Sequence, residues 1–348
     1  MPSRNLAILA ATAAVSLALA LSPATHAQNF RDAKIEPVKV ADSVYMLKGI
    51  GGNIGVSIGE DGVFMIDDQY APLTGKILEA IGELSGGDQN VRFVINTHWH
   101  GDHTGGNENL GGEGAIIVAH TNVHKRLSSE QFMEAFNRTV PPAPEDAIPV
   151  ITFDESVTFH WNDDELHAFH LPHAHTDGDS IIHFRKSNVF HMGDIYFENG
   201  YPFVDVGSGG SITGIIKACT HVLDMCNANT KVIPGHGELA DPRKLLEYRA
   251  MLVAVRSAVA EMMEQGKTRA EIIAAKPTAD FDERWGNGFF SAEQFTGAVY
   301  DALIADEKRH EAMHEHGHDH DHDHGHDHGD HDHDHGAHEH GAHGDHDH

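Results

Sequence analysis

Along the first half of the chain, short aliphatic runs alternate with segments of helical period. Val44-Tyr45-Met46-Leu47, Ile54–Ile58 and Val63–Ile66 have the composition of consecutive strands, and Glu60-Asp61-Gly62 supplies a turn between the last two. From Pro72 to Leu84, Leu73, Ile77, Leu78 and Ile81 recur on one helical face, with proline near the start. Val91–Asn96 and Ala115–Ala119 predict buried strands, the second followed by a short helix around Asn122–Leu127. The pattern breaks over residues 128–149, where TVPPAPEDAIP predicts a surface excursion over the site. Strands near 150–153, 156–160 and 165–170 follow, then a hairpin pair at Ile181–Phe184 and Asn188–His191. A helix over about 211–227 precedes a last strand at Lys231–Ile233. Helical patterns then run from Pro242 to about Gln265 and from Ser291 to about Arg309. Strands followed by helices, twice over, predict two βα halves packed face to face, an α/β fold of αββα four-layer sandwich type. No period of solenoid length is present.

The two ends change the picture. Arg4 precedes an apolar run from Leu6 to Leu21, and Thr25-His26-Ala27 offers small residues at a cleavage point. We read residues 1–27 as a signal peptide cut after Ala27 and expect a periplasmic or secreted protein. No other stretch is long and apolar enough to span a bilayer, so no membrane association is expected after cleavage. From Glu311 the chain becomes a His/Asp/Gly tract holding 16 of its 32 histidines. Such a tract cannot bury a core, and the 311–348 tail is expected to be disordered without metal and to bind extra zinc. Residues 28–310 remain as one large domain.

Charge and cysteine content narrow the partners. The tail carries 12 acidic residues and no Lys or Arg, leaving −17 of the formal −29 on the rest. A surface this acidic argues against nucleic acid and leaves a small-molecule substrate. Cys219 and Cys226 stand seven apart on a predicted helix. That separation is about 10 Å of rise, beyond disulfide reach, so both are expected to be packing residues.

The densest chemistry is Thr97-His98-Trp99-His100-Gly101-Asp102-His103-Thr104-Gly105-Gly106, directly after the strand Val91–Asn96. His98 and His100 project to one side of an extended segment, and Asp102 and His103 fall at the turn that follows. Four ligand-type side chains so close together suit two adjacent cations, the arrangement used for hydrolytic displacement. His175, Asp194 and His236 lie after β runs and are flanked by Gly, Pro or Thr, as suits a backbone turning toward a ligand. Imidazole and carboxylate without thiolate suit Zn²⁺. A water held between two such cations is acidified toward neutrality and becomes a bridging hydroxide nucleophile.

In these residues the sequence resembles the metallo-β-lactamase superfamily over roughly residues 40–240: His-x-His-x-Asp-His, then a His, an Asp and a final His. The resemblance implies that His98, His100 and His175 bind one zinc, that Asp102, His103 and His236 bind a second, and that Asp194 bridges them. It also implies an Asp at the end of strand Val63–Ile66, where Asp67 and Asp68 stand, to orient a ligand imidazole. An N-cap role is equally open to Asp68. Asp102 is expected to orient the nucleophile; Tyr196, two residues after Asp194, is a candidate to point a hydroxyl into the cleft, with a packed aromatic as the other reading. His170, His173, His183 and His191 are expected to be structural or to support the ligands.

Antibiotic-hydrolysing branches carry Cys or Ser where this chain has Asp194, and no Lys or Arg follows in Ile195–Asn199. A bridging Asp belongs to hydrolase, thioesterase and lactonase branches. The expected function is therefore zinc-dependent hydrolysis of a cyclic amide, ester or lactone, with β-lactamase-like activity possible. The alternatives are a thioester hydrolase of the same superfamily and a non-enzymatic zinc-handling protein working through its tail.

Overall fold

Period-two alternation along the strands decides which layer each side chain enters. The computed structural model describes residues 30–87 and 90–317; the expected signal peptide and residues 318–348 of the tail lie outside them. Seven strands form one sheet: β1 (Glu36–Lys39), β2 (Val44–Lys48), β3 (Ile54–Gly59), β4 (Gly62–Ile66), β5 (Val91–Asn96), β6 (Ile116–His120) and β9 (Ile151–Phe153), in that spatial order. In β4, Val63 and Met65 pack with Leu73, Ile77 and Ile81 around helix α1 (Thr74–Ser85). Phe64 and Ile66, the intervening residues, enter a second cluster with Leu166, Ile182 and Phe184.

That second cluster is the space between two sheets. Its far side is a five-stranded sheet of β10 (Ser156–Trp161), β11 (Asp164–His170), β12 (Ser180–Phe184), β13 (Val189–His191) and β14 (Lys231–Ile233). The outer face of this sheet, including Ile181 and Phe190, is covered by Ile215 and Val222 of helix α5 (Ile212–Met225) and Leu252 and Val255 of helix α6 (Pro242–Glu264). Helix, sheet, sheet and helix thus form the expected four-layer sandwich.

Short helices α2 (Gly101–Thr104), α3 (Asn107–Gly112) and α4 (Thr121–Leu127) flank the first sheet's connections, and α7 (Arg269–Ala275) and α8 (Asp282–Trp285) follow α6. The last helix, α9 (Ala292–Gly317), runs beyond the expected end near Arg309. It crosses from the unit ending at Glu307 into a second unit that begins at Lys308. Strand β1, Glu-Pro-Val-Lys, has no apolar alternation and was not expected; its backbone pairing with β2 makes it a strand. Likewise, the 128–149 excursion contains a two-stranded hairpin, β7 (Gln131–Met133) and β8 (Arg138–Val140). Cys219 is buried, Cys226 is half-buried, and both are free thiols.

Pairing is parallel for β4–β5, β5–β6 and β13–β14. Loops after β4, β5, β11, β13 and β14 therefore meet along one edge of the sandwich. The turn between β2 and β3 ties the two halves together there: Gly52 N donates to Asp102 O at 3.0 Å and Asn53 N to Gly235 O at 2.7 Å.

Candidate metal centre

Each of the loops after β5, β11, β13 and β14 brings a metal-ligating side chain to this edge. His98, His100, His175 and Asp194 form one group whose ligand atoms lie within 4.8 Å of one another, and Asp102, His103 and His236 form another. Asp194 stands between the groups. Its Oδ1 is 3.0 Å from His103 Nε2 and 3.3 Å from His236 Nε2, and its Oδ2 is 3.7 Å from His175 Nε2 and 3.8 Å from His98 Nε2. All seven residues expected as ligands are gathered here.

Buried polar atoms ordinarily find hydrogen-bond partners. Here His98 Nε2, His103 Nε2 and Asp194 Oδ1 are buried with none. His103 Nε2 and Asp194 Oδ1 are close enough to bond but badly aligned for it. His100 Nδ1 and His175 Nε2 face each other at 2.9 Å, but the three unpartnered atoms leave lone pairs that fit cations in the space between the groups. Five imidazoles and two carboxylates, without thiolate, are a donor set suited to Zn²⁺.

The opposite nitrogens of four imidazoles are tied down. His98 Nδ1 meets Thr97 Oγ1 at 3.0 Å, His100 Nε2 meets Asp205 Oδ2 at 2.9 Å, His103 Nδ1 meets Asp67 Oδ2 at 2.7 Å, and His175 Nδ1 meets Phe203 O at 2.6 Å. Such partners fix tautomer and ring direction and raise ligand basicity. Asp67 also accepts from Thr97 N and Thr97 Oγ1, each at 2.7 Å. Among the described residues Asp68 makes no hydrogen bond to an imidazole; its Oδ1 accepts from Gly106 N at 2.8 Å, pinning the glycine pair after the motif. Asp205 was not anticipated, and the only local signal was an acidic residue just before the flexible Gly-Ser-Gly-Gly run.

The remaining expected residues divide. His191 Nε2 meets Asn53 O at 3.0 Å, His173 Nδ1 meets Gly209 O at 2.9 Å, His170 stacks on His120, and His183 stacks on Phe190. None belongs to either ligand group. Tyr196 requires correction. It is buried in the helix-covered core, its ring 5.0 Å from that of Tyr248, and it does not line the cleft. The residue that faces the site is Phe197, stacked on His236 with ring centroids 5.0 Å apart. The tyrosine at the cleft is Tyr70, which sequence reading missed.

Protonation follows from the packing. Burial alone would lower the His236 imidazole, but the Asp194 and Asp102 carboxylates outweigh it and hold the group up at about 9. Burial likewise opposes ionisation of Asp194, yet His103 and His236 hold it well below the usual carboxylate range. His175 is pushed down to about 4 by burial and by its neighbour His100. In the metal-free protein the stabilising His236 charge is therefore fully present below about 6.5 and lost as pH rises through about 9. Metal must displace that proton, so zinc affinity at the His236 group is expected to rise steadily over this window and flatten above it. Zinc-chelator competition across pH checks this; a flat profile would remove His236 from the site.

Above the cluster lies an open cleft of about 910 Å³, to which Asp102, Asp194, His100 and His236 are open. A model of the metallo-beta-lactamase superfamily matches residues 47–236. Among solved structures, the chain is similar to a metallo-beta-lactamase from Pontibacter korlensis, at 17% identity and a TM-score of 0.51, over 63% of this chain and 99% of that one. It is similar to the stereoselective inverting sec-alkylsulfatase Pisa1 from Pseudomonas sp., at 15% identity and a TM-score of 0.60. That match covers 78% of this chain and 50% of the other, so the chain spans about half the sulfatase's length. DIM-1 metallo-beta-lactamase matches at 18% identity and a TM-score of 0.50, over 64% and 98%. At these identities the likeness shows the fold alone. No curated protein matches the chain.

Proposed function

Since the chain belongs to the metallo-beta-lactamase superfamily and carries a His/Asp metal-binding cluster, we propose that it is an exported dinuclear zinc hydrolase of a cyclic amide, ester or lactone. The observation that carries this reading is the gathering of seven ligand-type side chains into two adjacent groups, with His98 Nε2, His103 Nε2 and Asp194 Oδ1 buried and unpartnered among them. His98, His100 and His175 would hold one ion, Asp102, His103 and His236 the other, with Asp194 shared. Two zinc ions bound there would supply an acidified water and polarise the bond under attack.

The chain's own residues do the rest. Asp102 is the more exposed of the two carboxylates and faces the cleft, where it accepts a hydrogen bond from the attacking water and orients it. Burial first, with Asp102 and Asp194 beside it, pushes the Tyr70 hydroxyl up to about 12. Tyr70 therefore stays protonated at neutral pH and serves as a donor to the negative charge that develops on the substrate oxygen. Asp205, Asp67 and the Phe203 carbonyl keep three of the imidazoles from turning as that charge builds. A purely metal-handling role is less well supported, because the buried ligand set is intact.

Elemental analysis of a chain ending at His310 is expected to give about two zinc equivalents, one for each ligand group. One or none would overturn the reading. Zinc-loaded protein tested with nitrocefin, a lactone and a thioester separates the substrate classes, and turnover of the thioester alone would favour the thioesterase alternative. Zinc capture by the 311–348 tail belongs to the same proposal and rests on the His-Asp-His repeats. Deleting the tail should leave turnover unchanged in excess zinc and slow reactivation of metal-free protein at limiting zinc; equal rates would dismiss a loading role.

A further inference from the structure

The cleft has a wall that the ligand cluster does not explain. The β7–β8 hairpin stands at its rim, and Met133 pairs with Arg138 across the ladder. Cross-strand partners share a face, and both residues line the cleft. Arg138 is exposed and, among the described residues, makes no ion pair or side-chain hydrogen bond. The other cation in the cleft, Lys48, is already engaged, 2.7 Å from Glu238 and 3.4 Å from Glu36. Arg138 is thus the uncommitted positive charge of the cleft, in a chain where acidic residues outnumber Lys and Arg by 53 to 24.

Next to it runs an aromatic shelf. Phe203 stacks on the ligand His100 at 5.5 Å and on Phe290 at 4.9 Å. Phe136, from the hairpin, lies 5.3 Å from Phe203 and 6.0 Å from Phe289. The outer two rings are open to solvent, Phe136 by 41% and Phe289 by 76%. Neighbouring exposed rings at the mouth of a site mark a place where an apolar ligand is covered. Guanidinium, with its planar fork of donors, matches a carboxylate in bidentate fashion.

We propose that the cleft selects an amphiphilic carboxylate, its apolar body laid on Phe136 and Phe289 and its charge paired with Arg138. This deepens the hydrolase reading, on which it rests, by placing substrate specificity on a hairpin and a C-terminal loop that supply no metal ligand. Glu238, an acid of the same cleft outside the ligand set, disfavours an anion beside it, so the arginine also sets the direction in which the substrate enters.

The test is calorimetric binding of 4-phenylbutyrate and 4-phenylbutyramide to the zinc-loaded full chain. The acid is expected to bind at least about tenfold more tightly than the amide. Arg138→Gln should bring the acid to the amide's affinity, Arg138→Lys should retain part of the preference, and Phe289→Ala should weaken both ligands. Both substituted residues are exposed, so thermal melts of the variants should match the parent. Equal binding of acid and amide, no binding of either, or a preference that survives Arg138→Gln because the carboxylate sits on the metals would each overturn the proposal. Failure of all three turnover substrates would sink the hydrolase reading without altering this binding ratio, so the two failures are distinguishable.

Discussion

Asp194→Ala is expected to remove one zinc equivalent and to lower kcat/KM by more than about 10³-fold, upward of ~4 kcal/mol in transition-state stabilisation. The carboxylate approaches imidazoles of both ligand sets, through Oδ1 on one side and Oδ2 on the other. Without it, His103 and His236 face each other's charge across a buried space with one counter-ion fewer, and a second metal held there would lose a ligand and its charge compensation. His236 offers a readout independent of turnover. Its proton is held mainly against burial by Asp194, so its titration in metal-free Asp194→Ala should fall well below about 9. Tyr196→Phe is the control: the ring lies in the core, and activity should change by less than about tenfold. Comparable losses in the two variants, measured in steady state, would remove Asp194 from the bridging position.

Asp67→Asn should be nearly as damaging, for a different reason. Asp67 adopts a left-handed backbone conformation, φ +59°, which asparagine tolerates well, so the substitution acts on the side chain alone. Its Oδ2 serves both Thr97 Oγ1 and His103 Nδ1. An amide can keep one oxygen toward Thr97 N, but it then turns an NH₂ group toward an imidazole N–H. Two donors in contact force His103 into its other tautomer, with the proton on the nitrogen that should face the metal. Loss of such a ligand-orienting carboxylate costs about 10–100-fold in metal affinity. Because the group is fully buried, stability should also fall, by about 3 kcal/mol. Zinc competition and urea melts measure the two effects separately. Unchanged zinc affinity with lowered stability would make Asp67 a packing residue and nothing more.

Much of this proposed centre was legible in the sequence because its candidate ligands are local. Four of the seven lie in six consecutive residues after a strand, and the other three each follow a β run. What escaped depends on contacts between distant segments. Asp205 meets His100 across 105 positions, and no pattern near either residue announces the pairing. The error at Tyr196 has a local cause. Counting two residues on from Asp194 assumes extended backbone, but a 3₁₀ turn at Gly193–Ile195, with Gly193 at φ +50°, rotates the chain and delivers Phe197 to the cleft instead. Strand β1 and the β7–β8 hairpin were invisible for the opposite reason. Their residues lack apolar alternation, so only backbone pairing defines them.

The pair of free thiols bears on where such a molecule can be made. With two cysteines in the whole sequence and no bond between them, the covalent structure is the same under oxidising and reducing conditions. Burial pushes the Cys219 thiol up to about 12, so almost no thiolate exists at neutral pH to enter exchange with glutathione or a neighbouring chain. No disulfide bond therefore has to form for the fold to reach its native state. Synthesis in a reducing cytoplasm should give the same molecule as synthesis in an oxidising compartment, leaving the supply of metal as the condition that distinguishes them.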